Sequence, residues 1–344
     1  MTFRFALLGR RSHRTPLSYI AYQRLLAPTF QKVDAFRSPD FLVFGHPDDI
    51  QEEIDSVNRS RRFNPNVKLV VLSEEPFWDL TLVKSVDFLS RKGQVTNGEL
   101  EFWYLNHETS NVFHFQKLPY YVTTDDHFVA RYRHLISQYC HQSVTAILTR
   151  WQSALHQTAF FAEKRTNIKF DKSVESLDIY GLCRFRSMLT YHYDAPGTLK
   201  VGRGWTKGGV KRQALPDWHL DKLATLAGRS KFVSALENTH QRHYISEKLF
   251  DAYAVGGIPL YYASPAHRVH ELVPYSSFVN LFGMTVEDAS AEISGISLSC
   301  EFAERYLEDL RFILTLLTGD ALILERTNVL AKIAREFECI QNEG

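Results

Sequence analysis

The segment with the clearest chemical potential runs from Glu237 to Lys248, where charged and amide side chains follow an apolar stretch. Residues 231–236 are predicted to form a buried strand, and a helix is predicted to begin near Ser246. In an open parallel sheet, ligands bind beyond the carboxyl ends of the strands, where helix N-termini converge. A lysine in the first turn of a helix opposes the helix dipole unless it holds an anion. Lys248 therefore indicates an anion site, with an exposed lysine on an ordinary helix as the equal alternative.

A second candidate group of acidic residues follows the strand predicted over residues 67–72. Glu74 and Glu75 come directly after this strand, in the sequence Ser73-Glu74-Glu75-Pro76. A carboxylate at the end of a strand can act as a general base if it faces a cleft. Considered without other information, a charged turn is the commoner explanation of the same residues.

The elements that must position these residues alternate between short apolar runs and helical segments, which predicts βαβ units and mostly parallel sheets. The first third contains predicted strands at 3–8, 40–44 and 67–72, with a helix beginning at Pro47. Residues 125–157 and 300–344 are predicted to be helical. The second series has predicted strands at 158–162, 177–180, 231–236, 258–262 and 277–281, and predicted helices at 217–226, 246–255 and 267–272. Two α/β domains with a helical C-terminus are the simplest architecture.

The net charge of the chain limits its partners. The 344 residues carry 40 Lys and Arg against 39 Asp and Glu, for a formal charge of +1. A nearly neutral chain lacks the broad basic field that nucleic acid or an anionic membrane requires, so neither is an expected partner. Any anion must therefore be held by a few local residues.

Cysteine usage and hydropathy predict a soluble, cytoplasmic protein. The four cysteines form no CxxC pair, which is typical of thiols in a reducing compartment. No run approaches the ~18 to 20 apolar residues that a membrane-spanning helix needs. A glycine-dense stretch at 197–209, with nearby lysines and arginines, is interpreted as a solvated surface loop, with a basic loop near a phosphate as the less favoured alternative.

A longer motif in the second half resembles the signature of the α-1,3/4-fucosyltransferases that use GDP-fucose. It comprises Lys-Phe-x-x-x-x-Glu-Asn, then Tyr-x-Ser-Glu-Lys and Ile-Pro-Leu-Tyr-Tyr-x-Ser-Pro, and it includes Phe232, Glu237, Asn238, Tyr244, Ser246, Glu247, Lys248, Pro259, Ser264 and Pro265. The resemblance, to a soluble, bacterial-type member, covers roughly the C-terminal half. It implies a GT-B fold of two facing Rossmann-like domains. It also implies an inverting transfer of L-fucose from GDP-fucose to a hydroxyl of an N-acetylglucosamine-containing glycan, with an α-1,3 linkage favoured over α-1,4.

The resemblance also implies a division of the chain. An acceptor-binding domain is expected at 1–155, a GDP-fucose-binding domain at 156–300, and C-terminal helices at 301–344 that pack back on the first domain. Segment 79–117 matches nothing in the family and is expected to determine the acceptor.

Individual roles in the donor site follow from the matched positions. Lys248 would pair with the diphosphate and Glu247 would accept hydrogen bonds from the ribose hydroxyls, while Asn238 and Tyr244 would line the donor pocket. The family also places an arginine on the diphosphate, shortly after the first strand of the donor domain. Arg165 fits this spacing, with the adjacent Lys164 as the alternative, and a guanidinium suits a phosphate better than an ammonium.

In the first half, the resemblance is confined to short segments. Residues 73–76 resemble the family's glutamate motif, and Leu118-Pro119-Tyr120-Tyr121 resembles a second landmark. Glu74 is the candidate base that removes the acceptor proton, with Glu75 as the alternative.

No metal cofactor is expected, and a divalent cation would at most stimulate transfer. Asp48-Asp49 and Asp125-Asp126 differ from the Asp-x-Asp of metal-dependent glycosyltransferases, and the histidine pairs at 240/243 and 267/270 lack a third ligand. Two alternative functions stay open at this point. One is a GT-B transferase for another nucleotide sugar, and the other is a catalytically silent protein that binds a nucleotide or a glycan.

Overall fold

The computed structural model describes residues 1–83, 86–95, 100–206 and 214–343. The chain forms two compact units, Met1–Asp126 with Asp320–Gly344, and His127–Gly319. The glycine-dense stretch is not wholly a surface loop, because its residues 198–201 form a strand that pairs in the parallel sheet. From residue 207 onward the stretch lies outside the described residues.

The first unit contains a six-stranded sheet in which all neighbours are parallel except β5 and β6. The strand order is β2-β1-β3-β4-β6-β5. The strands are β1 (Phe3–Leu7), β2 (Phe30–Lys32), β3 (Phe41–Phe44), β4 (Lys68–Leu72), β5 (Lys92–Val95) and β6 (Leu100–Leu105). The helices are α1 (Ile20–Gln23), α2 (Pro47–Glu52), α3 (Ile54–Phe63) and α4 (Pro76–Thr81), with a 3₁₀ turn at Tyr120–Thr123.

Local sequence explains the central elements of this sheet. All four residues of β3 are buried, as expected for a parallel strand covered on both faces. Pro47 occupies the first turn of α2, and the Nδ1 atom of His46 accepts a hydrogen bond from the backbone N–H of Asp48 at 3.1 Å. The three predicted strands and the helix at Pro47 are therefore confirmed.

The second unit contains a five-stranded, fully parallel sheet of order β10-β7-β11-β13-β14 and a small antiparallel sheet of order β12-β9-β8. The strands are β7 (His156–Phe161), β8 (Ser173–Val174), β9 (Ile179–Gly181), β10 (Thr198–Val201), β11 (Ser230–Ser234), β12 (Thr239–His240), β13 (Ile258–Tyr261) and β14 (Val279–Asn280). The helices are α5 (Asp126–Tyr139), α6 (Val144–Gln152), α7 (Cys183–His192), α8 (Trp218–Leu226), α9 (Glu247–Ala254), α10 (Val269–Leu272), α11 (Val286–Gly295) and α12 (Cys300–Leu316).

The small sheet corrects one predicted strand. Residues 177–180 were expected to join the parallel sheet, but β9 pairs with β8 and β12 in antiparallel fashion, and Glu175–Leu177 form a 3₁₀ turn. The pairing sets Tyr180 opposite His240 and lets the carbonyl of Asn238 accept from the N–H of Leu182 at 2.9 Å. The small sheet thus joins the start of α7 to the segment that follows β11.

The last helix, α13 (Gly319–Asn342), belongs to the first unit. Phe337 stacks on Phe41 of β3 with ring centroids 3.9 Å apart, and Glu336 accepts from the Oγ of Ser110 at 2.6 Å. In contrast, α12 lies in the second unit, where Tyr306 contacts Trp151 of α6 at 4.9 Å. The boundaries of the compact units differ from those expected at 155 and 300. Residues 127–155 belong to the second unit, and the predicted helical block 301–344 is divided between the two units at residue 320. The functional labels of the two domains stay predictions.

A buried polar cluster fixes α9, the helix that begins beside Lys248. The carboxylate of Asp251 accepts from the Nζ of Lys222 at 2.7 Å and from the Tyr132 hydroxyl at 2.8 Å, and it lies 2.8 Å from the Nε2 of His219. Burial alone would raise the pKa of Asp251, but Lys222 and His219 outweigh it and hold that pKa well below its usual range. The ionised cluster therefore contributes to stability.

Replacing Asp251 with asparagine is expected to lower the free energy of unfolding by about 3 kcal/mol, because it removes the carboxylate that neutralises the buried charge of Lys222. The depressed pKa means that this contribution is complete above the unfolded pKa of aspartate, near ~4, and is lost as the pH falls below it. Urea denaturation at pH 7 and at pH 3 should therefore show a large and then a smaller difference from the unmodified protein. Asp194→Asn, at a side chain that is 97% exposed, is the matched control, and an equal difference at both pH values would contradict the assignment.

Candidate functional site

The candidate anion site lies where the chain leaves β11 and enters α9. Ser246 is the N-cap of α9, and its backbone N–H donates to the Oε1 of Glu237 at 2.8 Å. The Oε2 of Glu237 accepts from the Oγ of Ser246 at 2.6 Å and from the Nζ of Lys248 at 2.9 Å. Glu237 therefore fixes both the start of the helix and the position of the lysine.

Lys248 is held as a cation at this helix start. Its ammonium group donates to the Oγ of Ser246 at 2.8 Å and lies 3.7 Å from the Oε1 of Glu247, while 15% of the side chain is exposed. Burial opposes the charge, but Glu237 and Glu247 outweigh it and raise the pKa of Lys248 above its usual value. Lys248 thus stays protonated and keeps part of its side chain exposed, as a residue that binds an anion from solvent must.

The side chain of Cys183, at the start of α7, contacts both Arg165 and Asn238. The Nη1 of Arg165 lies 3.5 Å from the Sγ of Cys183, and this sulfur lies 3.6 Å from the Oδ1 of Asn238. Arg165 also contacts Glu163 at 3.2 Å. The alternative, Lys164, lies over the rings of Tyr191 and Trp205 instead. The structure thus brings Arg165, but not Lys164, to the segment that contains Asn238.

Arg186 of α7 is a further candidate that the sequence analysis missed. Its side chain is buried, and its Nη1 donates to the carbonyl of Leu236 at 3.3 Å. Its Nε is buried without a hydrogen-bond partner among the described residues. Its positive charge repels that of Lys248 and counteracts the raised pKa of that lysine. A buried cation without a carboxylate is costly, so an anionic ligand would relieve it. No helix was predicted over residues 183–192, so no sequence pattern indicated this arginine. Its neighbour Arg184 pairs with Asp171 at 2.8 Å.

Tyr244 and Glu247 complete the predicted donor residues. Tyr244 is 2% exposed and lies in the loop before α9, where its N–H donates to the carbonyl of Gln241 at 2.9 Å. Glu247 is the first residue of α9 and keeps 11% of its side chain exposed. Four of the five predicted donor residues therefore lie on the loop and helix start that follow β11, and Arg165 reaches this segment through Cys183.

Glu74 lies in the first unit, directly after β4, and is fully buried. Its Oε1 accepts from the Nε of Arg14 at 2.8 Å, its Oε2 accepts from the Tyr120 hydroxyl at 2.8 Å, and the Tyr19 hydroxyl is 3.0 Å from both oxygens. Burial raises the pKa of Glu74 above its ordinary value, although the hydrogen bonds from Arg14, Tyr120 and Tyr19 oppose this. A raised pKa makes the carboxylate a stronger base.

Arg14 connects the two candidate bases and was not identified from the sequence. Its Nη2 lies 3.2 Å from the Oε2 of Glu75 and donates to the Tyr121 hydroxyl at 2.9 Å. Its guanidinium carbon lies 4.5 Å from the centre of the Trp78 ring. Because Arg14 contacts both carboxylates, the geometry leaves Glu75 open as the alternative base.

The described part of the chain offers neither a metal site nor a membrane-spanning helix. Those residues contain no group of three or more His, Cys, Asp or Glu side chains placed to hold a metal ion. They also contain no helix that is long and apolar enough to cross a membrane. Metal independence stays a prediction, to be tested with a chelator.

Each unit contains a mostly parallel sheet, and the second has cations on the segments that follow its strands. More particularly, residues 203–296 match the family model described as glycosyltransferase family 10 (fucosyltransferase), C-terminal domain. This stretch of the chain is therefore similar to the fucosyltransferase family, and it contains the motif between Lys231 and Pro265 that predicted the resemblance. The α/β class, with mostly parallel sheets and a helical C-terminus, is also confirmed.

Solved structures that align with the chain include crystal structures described as alpha1,3-fucosyltransferase, alone, with GDP-fucose and with GDP. Each is 16% identical to the chain, with TM-scores of 0.47, 0.42 and 0.47 respectively. The alignments cover 96%, 93% and 96% of this chain and 90%, 91% and 90% of the other chains. No curated protein gives a significant match.

Proposed function

We propose that the protein is an inverting fucosyltransferase that moves L-fucose from GDP-fucose to a hydroxyl of an N-acetylglucosamine-containing glycan, with an α-1,3 linkage. The observation that carries this proposal is the set of cations at the edge of the second sheet, within the unit that contains the family match. As the bond from C1 to the phosphate oxygen breaks, negative charge develops on GDP. Preorganised cations and backbone N–H groups stabilise such charge.

Each donor residue then has a definite role. Lys248 and Arg186 bind the diphosphate beside the start of α9. Arg165, which contacts Cys183, stabilises the negative charge of the same diphosphate. Glu247 accepts hydrogen bonds from the ribose hydroxyls. Asn238 and Tyr244 line the pocket, since both lie on the segment between β11 and α9.

Glu74 is the proposed base. It takes the proton of the acceptor hydroxyl as that oxygen bonds to C1 of fucose, and GDP leaves from the opposite face, so the configuration at C1 inverts. Arg14, Tyr19 and Tyr120 hold the carboxylate in one orientation. The raised pKa brings its basicity closer to neutral pH, where a general base is most effective.

The test is an assay of GDP release with GDP-fucose and an array of N-acetylglucosamine-containing acceptors, in the presence of EDTA. Linkage analysis of the product should show fucose on the 3-hydroxyl with inverted configuration. Turnover of GDP-mannose or a UDP-sugar, but not of GDP-fucose, would overturn the donor assignment. Stabilisation by GDP without turnover of any donor would support a silent binding protein instead.

A further inference from the structure

The proposed base, Glu74, is oriented in part by a turn that has little regular structure around it. Tyr120 donates to the Oε2 of Glu74 at 2.8 Å, and it is the first residue of the 3₁₀ turn Tyr120–Thr123. Residues 106–119, which lead into this turn, form neither a helix nor a strand. The backbone ladder of a helix or strand therefore does not fix Tyr120, and side chains from other elements must do so.

Glu325 of α13 holds the segment that precedes this turn. Its side chain is buried, with 1% exposed, and its Oε1 accepts from three consecutive backbone N–H groups. The donors are Gln116 at 2.9 Å, Lys117, and Leu118 at 3.3 Å. Hydrogen bonds to a charged acceptor are roughly twice as strong as those between neutral groups. One carboxylate oxygen thus supplies the partner that a strand or helix would otherwise give this backbone.

Arg326, the next residue of α13, holds the other end of the turn. Its Nε donates to the carbonyl oxygen of Thr123 at 2.8 Å, and its Nη1 donates to Asp126 at 2.6 Å. The Oγ1 of Thr123 donates to the carbonyl oxygen of Tyr120 at 2.5 Å and lies 2.5 Å from the hydroxyl of Tyr22. Two adjacent residues of one helix therefore hold both ends of the turn that contains Tyr120.

The attachment of α13 to the first unit does not require a buried carboxylate. Five apolar residues of the helix already belong to the core of this unit: Val329, Leu330, Ile333, Phe337 and Ile340. A carboxylate must give up its hydration on burial, so it stabilises a fold less than an apolar side chain of similar size does. The burial of Glu325 is therefore better explained by the segment that it holds.

We propose that Glu325 is a positioning residue for fucose transfer, an inference that rests on the proposed function. Together with Arg326 it holds residues 116–123, so that the Tyr120 hydroxyl stays on Glu74 and the carboxylate keeps its orientation towards the acceptor hydroxyl. Without Glu325 the turn shifts and Glu74 loses a donor. A misplacement of ~1 Å in a catalytic arrangement can slow a reaction about 100-fold.

Glu325→Ala tests this role. Its kcat should fall about 10- to 100-fold. Its affinity for GDP should be unchanged, because Glu325 and the cations that are proposed to hold GDP belong to different compact units. Hydrogen exchange at the amides of 116–118 should become at least about tenfold faster, since these N–H groups lose a charged acceptor. Glu325→Gln, whose amide oxygen can still accept, should retain most of the activity, and Glu338→Ala, at an exposed position of α13, is the matched control.

A double-mutant cycle shows whether Glu325 acts through Tyr120. Tyr120→Phe removes only the hydroxyl, so adding Glu325→Ala to it should change kcat by less than about twofold. The hydrogen bond from Tyr120 lowers the pKa of Glu74, so each single variant should shift the acid limb of kcat/KM to higher pH. The other titratable side chains around Glu74, which neither variant replaces, are Arg14, Tyr19, Tyr22, Glu75, His107 and Tyr121.

An equal loss of kcat when Glu325→Ala is added to the unmodified protein and to Tyr120→Phe would overturn the proposal, and so would an acid limb that does not move. If Glu325→Ala does not fold, Glu325→Asp keeps the charge on a shorter side chain and should show the same shift of the acid limb with a smaller loss of kcat. Failure of the proposed function would appear separately, as an absence of fucose transfer by the unmodified protein, whereas unchanged exchange at 116–118 in Glu325→Ala would overturn the positioning role alone.

Discussion

Replacing Glu74 with glutamine is expected to slow fucose transfer about 10²- to 10⁴-fold, the usual contribution of a general base. Glutamine has nearly the same shape, and its single amide oxygen can still accept a hydrogen bond from Arg14 or from Tyr120. It cannot take the acceptor proton. GDP affinity should be unchanged, because Glu74 and the cations that are proposed to hold GDP belong to different compact units. Steady-state kinetics with GDP-fucose, together with titration of GDP, measures both effects.

Glu75→Gln is the matched comparison, since Glu75 also contacts Arg14. A large loss in this variant, with activity retained in Glu74→Gln, would identify Glu75 as the base. Glu101→Gln, at a side chain that is 53% exposed, controls for a general loss of negative charge.

The pH dependence gives an independent check on Glu74. Because burial raises its pKa, the carboxylate takes up a proton at a higher pH than an ordinary glutamate with a pKa near ~4.3. In the unmodified protein, kcat/KM should therefore fall on the acid side at a pH above that value. The residual activity of Glu74→Gln should lack this decline, and an unchanged acid limb would contradict the assignment.

Replacing Arg186 with methionine is expected to weaken GDP binding about 10- to 100-fold, which corresponds to losing charge-assisted hydrogen bonds to the diphosphate. Guanosine, which lacks the diphosphate, should bind the variant as it binds the unmodified protein. Stability should be unchanged or higher, because methionine removes a buried charge whose Nε has no partner among the described residues. A residue kept only for folding would show the opposite, a less stable protein with normal GDP affinity.

Two further arginine variants make this result decisive. Arg184→Met removes a partly exposed arginine from the same helix and should leave GDP binding unchanged. Arg165→Met tests the residue that the motif spacing indicated. If Arg165→Met weakens GDP binding strongly and Arg186→Met does not, the arginine on the diphosphate is Arg165.

The alternation of apolar runs and helices was sufficient to predict the parallel sheets, because strands buried on both faces consist of consecutive apolar residues. The strand β6 was missed. Its residues Trp103 and Tyr104 are both buried in the sheet. The boundaries of the two units could not be predicted from the sequence either. An apolar stripe shows that α12 and α13 are packed, but it does not show which sheet they cover.

The residues of the candidate site were likewise only partly predictable from the sequence. Glu237, Ser246 and Lys248 are close in sequence, so their type and spacing indicated a common site. Arg14 contacts Glu74 across 60 residues of sequence, and Arg186 lies beside Leu236, 50 residues away. Neither relation leaves a local pattern, because both depend on how the strands are ordered in the sheet.

The position of α13 has a consequence for the order in which the protein folds during synthesis. The first unit is discontinuous in the chain, since Phe337 covers Phe41 and is translated almost 300 residues later. The second unit, which is continuous, contains all of its residues before α13 leaves the ribosome. The ribosome-bound chain therefore completes the second unit first. Until α13 is synthesised, the apolar face of the N-terminal sheet stays exposed and can bind chaperones.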